Sequence, residues 1–257
     1  MNNSAVQLIR NATLKIRYSG QTILVDPVLA KKGTLRSALG INKNPRVHLL
    51  YPVEEVVKDV NMILLTHNHI DHYEPSVKEH IAADTLFLVQ PQDKEAIEKD
   101  GFTNVSVVDN KTTVGNVTIY RISGHHGFGK LGEMMGAVSG YILKAEGCPT
   151  IYIIGDCRWE SSIHEAVKNF APDYIVINSG GAGFPELSKD LGPVLSDETE
   201  AIRIIKECPS STRFIAVHMD AIDHCQTTRS ILRNEAQYNC IDMSRLLIPE
   251  DGEIITL

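Results

Sequence analysis

The chain has 257 residues, with 25 Lys and Arg against 32 Asp and Glu, for a formal charge of −7. Hydrophobic residues make up 43% and charged residues 22%, which excludes a largely disordered or fibrous chain. The acidic balance argues against a nucleic-acid partner, and the lack of an apolar run of about 18 residues argues against a membrane span.

The chain opens on strands. VQLI (6–9), TLKIRY (13–18) and TILVDP (22–27) are short and rich in β-branched residues, and Ser19-Gly20 is placed to turn the second into the third. Helices then alternate with strands. VEEVVKD (53–59) is a short helix candidate, and NMILLT (61–66) is a nearly continuous apolar run, as a strand buried on both faces requires. PSVKEHIAA (75–83) and PQDKEAIEKDG (91–101) each begin with Pro, as helices do, around the strand TLFLVQ (85–90). VSVVD and VTIYRIS follow as strands, then VSGYILKA (138–145) and TIYIIGD (150–156). ESSIHEAVKNF (160–170), with Ser as a cap, and DETEAIRIIKEC (197–208) read as helices, with the strands DYIVINS (173–179) and RFIAVH (213–218) after them. TTRSILRNEAQ (227–237) is helical, and LLIPEDGEIITL reads as a closing hairpin. Two halves of strands followed by alternating α and β suggest two face-to-face sheets with helices outside.

The first twenty residues lack the basic-then-apolar order of a secretory signal. The five cysteines (Cys148, Cys157, Cys208, Cys225 and Cys240) are scattered without a CxxC pair, which fits a reduced, cytoplasmic protein. Ten histidines stand against one tryptophan. Three of them fall in Thr66-His67-Asn68-His69-Ile70-Asp71-His72, directly after an apolar strand. Imidazole and carboxylate are ligands of first-row metals. His67 and His69, two apart, point the same way in extended backbone, and a turn can bring Asp71 and His72 round as a second pair. One histidine after a strand is ordinarily a polar loop residue; HxHxDH in six positions is a metal-ligand pattern.

With this motif the chain resembles the metallo-β-lactamase superfamily. The resemblance implies an α/β fold, a four-layer αββα sandwich of two mixed sheets, with 1–257 as one domain. It implies that His67, His69 and His126 hold one metal, that Asp71, His72 and His218 hold a second, and that Asp156 bridges them. Asp26, in LVDP, matches an early aspartate that supports the metal loop. His125 and His126 are neighbours in GHHGFG. Alignment on Gly124 favours His125, whereas the His-Gly step and the VSGYIL strand favour His126. His126 is taken as the ligand and His125 as the alternative ligand or a substrate contact.

The segments GHHGFGKLGEMMGAVSGYIL and AVHMDAIDHC resemble the branch that holds L-ascorbate-6-phosphate lactonase, and the length leaves no room for the extra domains of glyoxalase II or of RNA-processing nucleases. The implied activity is metal-dependent hydrolysis by a metal-bridging hydroxide of a lactone or other ester of a small metabolite, phosphorylated or not. Zn is the default metal, with Mn or Fe as alternatives, and Asp71 or His224 is a candidate to protonate the leaving group. Phosphodiester hydrolysis and a non-catalytic metal- or ligand-binding protein are the alternatives; a flavodi-iron oxidoreductase would need a flavin domain. The expected partner is a small-molecule substrate, with no nucleic acid or membrane, and a homo-oligomer is compatible. Asp220 and Asp223 either orient His218 and His224 or cap the next helix. Arg158, beside Trp159, either meets an anionic substrate or pairs at the surface. The stretch 178–183 lacks the Lys-Ser/Thr of a phosphate loop and is read as a tight turn or a close backbone approach to the site. Cys157 and Cys225 are not expected to ligate, and His48, His80 and His164 are read as background.

Overall fold

Short β-branched runs bounded by turns pair into two groups. The computed structural model describes residues 4–184, 188 and 192–257. The first sheet holds β1 (Ala5–Arg10), β2 (Thr13–Tyr18), β3 (Gln21–Val25), β4 (Met62–Leu64), β5 (Leu86–Val89) and β6 (Val105–Val107). The second holds β7 (Lys111–Val114), β8 (Val117–His125), β9 (Ala137–Lys144), β10 (Ile151–Ile153), β11 (Tyr174–Asn178), β12 (Arg213–Val217) and β13 (Leu246–Leu247). The last strand, β14 (Ile254–Thr256), returns to the first sheet beside β1. The spatial orders are β14-β1-β2-β3-β4-β5-β6 and β13-β12-β11-β10-β9-β8-β7. Each sheet is mixed: β3 to β6 run parallel in one, and β10 to β13 run parallel in the other.

The turn at Ser19-Gly20 has positive φ at both residues, 46° and 80°, as a tight two-residue hairpin requires. Between the sheets lies a core to which both contribute, including Ile16, Leu64, Ile119, Tyr141, Ile153 and Ile215. Outside the first sheet, Val56 of α1 (Val53–Val57) and Ile97 of α2 (Lys94–Lys99) pack with Leu24, Ile63 and Phe87. A short helix, α3 (Gly129–Met135), follows β8. Outside the second sheet pack α4 (Ser161–Phe170), α5 (Glu198–Glu207) and α6 (Arg229–Tyr238), through Ile163, Ile205 and Leu232. This is the expected αββα order.

Several local expectations are corrected. The segment 75–83 forms only a short 3-10 helix at Pro75–Glu79, started by the Glu74 side chain accepting from Ser76 N, with Val77 and Ile81 packed into the core outside the first sheet. The closing hairpin does not form: β13 and β14 lie in different sheets, so 248–253 is a crossing between layers. Helix α3 falls in a segment from which no helix was expected. No Ser side chain caps α4; Glu160 holds the cap position without a side-chain cap bond. No helix among the described residues is long and apolar enough to cross a membrane.

Candidate metal centre

Parallel strands that end together bring their following residues together. His67 and its neighbours leave the end of β4, His126 follows β8, Asp156 follows β10 and His218 follows β12. The two sheets are joined there by Ser139 N, which donates to Thr66 O at 3.1 Å.

The donor atoms gather in three overlapping groups: His67, His69 and His126; His67, His72 and Asp156; Asp71, His72 and His218. His67 Nε2 lies 3.0 Å from His69 Nδ1, and His72 Nε2 lies 3.0 Å from His218 Nε2. Asp156 Oδ2 is 3.2 Å from His72 Nε2, 3.3 Å from His126 Nε2 and 4.0 Å from His67 Nε2, and its Oδ1 is 3.8 Å from His218 Nε2. Asp71 Oδ2 is 3.5 Å from both His218 Nε2 and His224 Nε2. His67, His72, His126, Asp156 and His218 are all buried, and His69 is half-buried.

The opposite ring nitrogens have their own partners. His72 Nδ1 is 2.8 Å from Asp26 Oδ2, and Asp26 also accepts from Thr66 N at 2.8 Å and Thr66 Oγ1 at 2.7 Å. His126 Nδ1 is 3.0 Å from Val194 O, and His218 Nδ1 is 3.3 Å from Cys225 Sγ. These contacts test whether the cluster suits a metal. A carbonyl oxygen only accepts, so Nδ1 of His126 carries the hydrogen. In a neutral ring Nε2 then aims a lone pair at a carboxylate oxygen 3.3 Å away. Electron-rich atoms this close need a cation between them, and the N/O donor set fits a divalent first-row ion.

Electrostatics agree. Burial alone would raise the Asp156 carboxyl, yet facing His72 and His218 hold it well below the usual range. Burial is likewise outweighed at Asp71, by His218 and His224. At His72 burial opposes charge, but Asp156 and Asp26 push the imidazole up to about 10. His67 moves the other way, because burial and then His72 and His69 disfavour a proton there. His218 adopts φ of +66°, a conformation non-glycine residues favour little and one common at functional sites.

Of the two neighbouring histidines, the structure brings His126 to the cluster. His125, its side chain 71% exposed, is turned to Glu160, with Nδ1 2.8 Å from Oε2. His224 sits at the edge of the cluster, 3.8 Å from Asp223 through Nδ1, with Phe184 stacked parallel to its ring at 6.1 Å. Asp220 binds Arg229 at the start of α6 (2.9 Å to Nη1), so it orients neither histidine. Arg158 is neither at the surface nor aimed at a substrate: it is buried, pairing with Glu200 at 2.8 Å and donating to Pro193 O. Cys157 is buried and Cys225 stands behind His218. Gly180 has no room for a side chain, because a Cβ there would overlap the His218 carbonyl; this is the close backbone approach expected of 178–183. His48, His80 and His164 are exposed, His164 against Trp159.

Sequence reasoning missed Asn178, whose Nδ2 donates to Asp156 Oδ1 at 2.6 Å, and Asn11, whose Nδ2 donates to Asp71 O at 3.2 Å. Asn178 carried a usable signal: like Asp156 and His218, it ends an apolar strand. Asn11, in a turn after β1, carried none.

A two-sheet sandwich with a His/Asp cluster where its strands end is the architecture of the metallo-β-lactamase fold. The family described as the beta-lactamase superfamily domain matches residues 21–219, and the chain belongs to it. The UPF0173 protein YddR of Bacillus subtilis (strain 168) is 30% identical over 254 residues, covering 96% of this chain and 98% of that protein. A possible metal-dependent hydrolase from Veillonella parvula DSM 2008 is 29% identical, with a TM-score of 0.92 over 100% of both chains. An isothiocyanate hydrolase from Delia radicum gut bacteria is 32% identical, with a TM-score of 0.90 over 98% of both chains.

Proposed function

We propose that the protein is a metal-dependent hydrolase of small molecules, one domain across 1–257, acting on an electrophilic carbon of a lactone or other ester. The observation that carries this reading is the set of donors around Asp156: His67, His72, His126 and His218 all present ring nitrogens to its carboxylate within 4.0 Å. His67, His69 and His126 would hold one ion and Asp71, His72 and His218 a second, with Asp156 shared; Zn is the default, Mn and Fe the alternatives. Bound there, two divalent ions would supply a water acidified toward neutral pH and would polarise the substrate oxygen. The side chains do the rest. Asp26 fixes the ring of His72 from behind, Val194 O that of His126 and Cys225 that of His218. His224, 12% exposed and 3.5 Å from Asp71, is placed to pass a proton to a departing alkoxide.

The lactonase branch is the finer reading of this class, supported by the segments after His126 and His218. A second reading has support of its own: the relative at 32% identity is an isothiocyanate hydrolase, and the central carbon of an isothiocyanate is also an electrophile open to attack by water. The test is a purified protein stripped with a chelator, reloaded separately with Zn, Mn and Fe, and assayed on a lactone, an aryl ester, a phosphodiester and an isothiocyanate. Turnover of a carbon electrophile that vanishes with the metal and returns on reloading is expected. Full activity in the stripped protein refutes the reading. Tight metal with no turnover of any substrate class favours a binding protein instead.

A further inference from the structure

The acidic charge is unevenly spread. Residues 27–53 hold no Asp or Glu, yet five of the 25 Lys and Arg fall there: Lys31, Lys32, Arg36, Lys43 and Arg46. All five are exposed. The Lys and Arg ion pairs among the described residues involve other side chains, those of Lys94, Lys99, Arg158, Arg203, Arg229 and Arg233.

Two independent anchors hold this basic loop to the metal centre. The first is Arg10, fully buried at the end of β1. It donates to Val28 O and Ala30 O at 2.9 Å and to Val47 O at 3.2 Å, which closes the base of the loop. The next residue, Asn11, donates to Asp71 O and takes the His218 N–H at 2.9 Å. The second anchor is Asp223. Its carboxylate accepts from Ser37 Oγ, from Asn44 Nδ2 at 2.8 Å and from Asn42 N at 3.4 Å, and its own N–H donates to Asn44 Oδ1 at 3.0 Å. Arg46 N adds a bond to Ala221 O at 2.7 Å. Arg36 is therefore next in sequence to one partner of Asp223 and Lys43 next to two, and Asp223 precedes His224. With Asp223 satisfied inside the loop, its charge is spent there, and the five cations form no ion pair among the described residues.

We infer that residues 31–46 form a binding surface for an anionic group, a carboxylate or phosphate carried by the same small molecule that reacts at the metal centre. This rests on the hydrolytic reading of that centre. A small anion fits better than a nucleic acid, because five cations on one loop of a −7 chain offer a local site and no extended basic track.

The experiment uses the metal-loaded full chain and the double variant Arg36→Glu/Lys43→Glu, with Arg36→Gln/Lys43→Gln as a second pair in case charge reversal impairs folding. Two aryl esters that differ only in a distal carboxylate, the 4-nitrophenyl monoester of glutaric acid and its neutral methyl ester, give a ratio of kcat/KM values. The charge-reversed variant is expected to lower that anion-to-neutral ratio about tenfold, the Gln pair by less, and added salt to lower it in the wild type. Calorimetric binding of inorganic phosphate is expected to weaken in the same variants at equal metal content. An unchanged ratio with unchanged phosphate binding overturns the inference. So does tighter binding of a short DNA duplex than of phosphate that is lost in the variants, since that marks a macromolecular surface. If neither ester is turned over but phosphate binding still depends on Arg36 and Lys43, the hydrolytic reading fails while the anion surface stands.

Discussion

Asp26→Asn isolates the contribution of one buried carboxylate to metal binding. Asp26 is 2% exposed and accepts three short hydrogen bonds, two from Thr66 and one from His72 Nδ1. Bonds to a charged acceptor contribute about 1.5–3 kcal/mol each. Asparagine keeps the shape and one accepting oxygen but puts an NH2 where the other oxygen stood. If the retained oxygen stays on Thr66 N, the NH2 faces His72 Nδ1, which must then accept, and the ring hydrogen moves to Nε2. A protonated Nε2 has no lone pair to offer beside Asp156 and His218. Losses of this kind lower metal affinity about 10–100-fold, equal to about 1.4–2.8 kcal/mol. Competition against a calibrated chelator, with metal content counted by mass spectrometry, reads the effect directly. Both ions held at wild-type affinity in Asp26→Asn would refute the argument that the carboxylate sets the ring's tautomer.

His126→Ala is expected to lose metal while His125→Ala keeps it, by the same metal count; the reverse order would reassign the ligand. Asp93, its carboxyl pushed up to about 6 chiefly by burial, should be a stability liability above that pH. Its folded value exceeds the unfolded 3.8, so the folded state holds the proton more tightly and stability falls as pH rises from about 4 through 6. Asp93→Asn in metal-stripped protein should leave the melting temperature near wild type at pH 4 and raise it at pH 8, with an upper bound of about 3 kcal/mol; no difference between the two pH values would contradict this. Gly180→Ala should destabilise the fold by several kcal/mol, on the order of 3, since the new methyl group must displace the His218 backbone; an unshifted urea midpoint would count against that packing.

The fold was legible where burial imposes a simple pattern. Runs such as NMILLT and TIYIIGD are apolar because both faces of a central strand are covered, and the polar residues that end them mark the site. Partner choice was not legible. The crossing at 248–253 carries the Pro, Asp and Gly of a turn, and only tertiary packing sends Leu246 to one sheet and Ile254 to the other. Helix α3 escaped notice because Gly129, Lys130 and Gly132 are poor evidence of an apolar face; its one buried residue, Leu131, packs with Val194 and Ile222 of distant loops. Arg158 looked like a surface charge because its partner Glu200 is 42 positions away. His125 and His126 could not be separated by strand period, since His126 lies just past the last residue of β8, where alternation ends.

The return of β14 to β1 has a kinetic consequence. Gln7 Nε2 donates to Gly252 O, 245 positions along the chain, and Ala5 pairs with Thr256. As the chain leaves the ribosome, Gln7 of β1 emerges 245 residues before Gly252, which leads into its outer neighbour β14. Over that interval β1 is therefore an open edge, able to recruit a foreign strand. Contacts this remote in sequence also slow closure of the sheet. Nascent chains are accordingly expected to be most prone to aggregation shortly before β14 emerges, and a chaperone that shields strand edges should raise the yield of native protein.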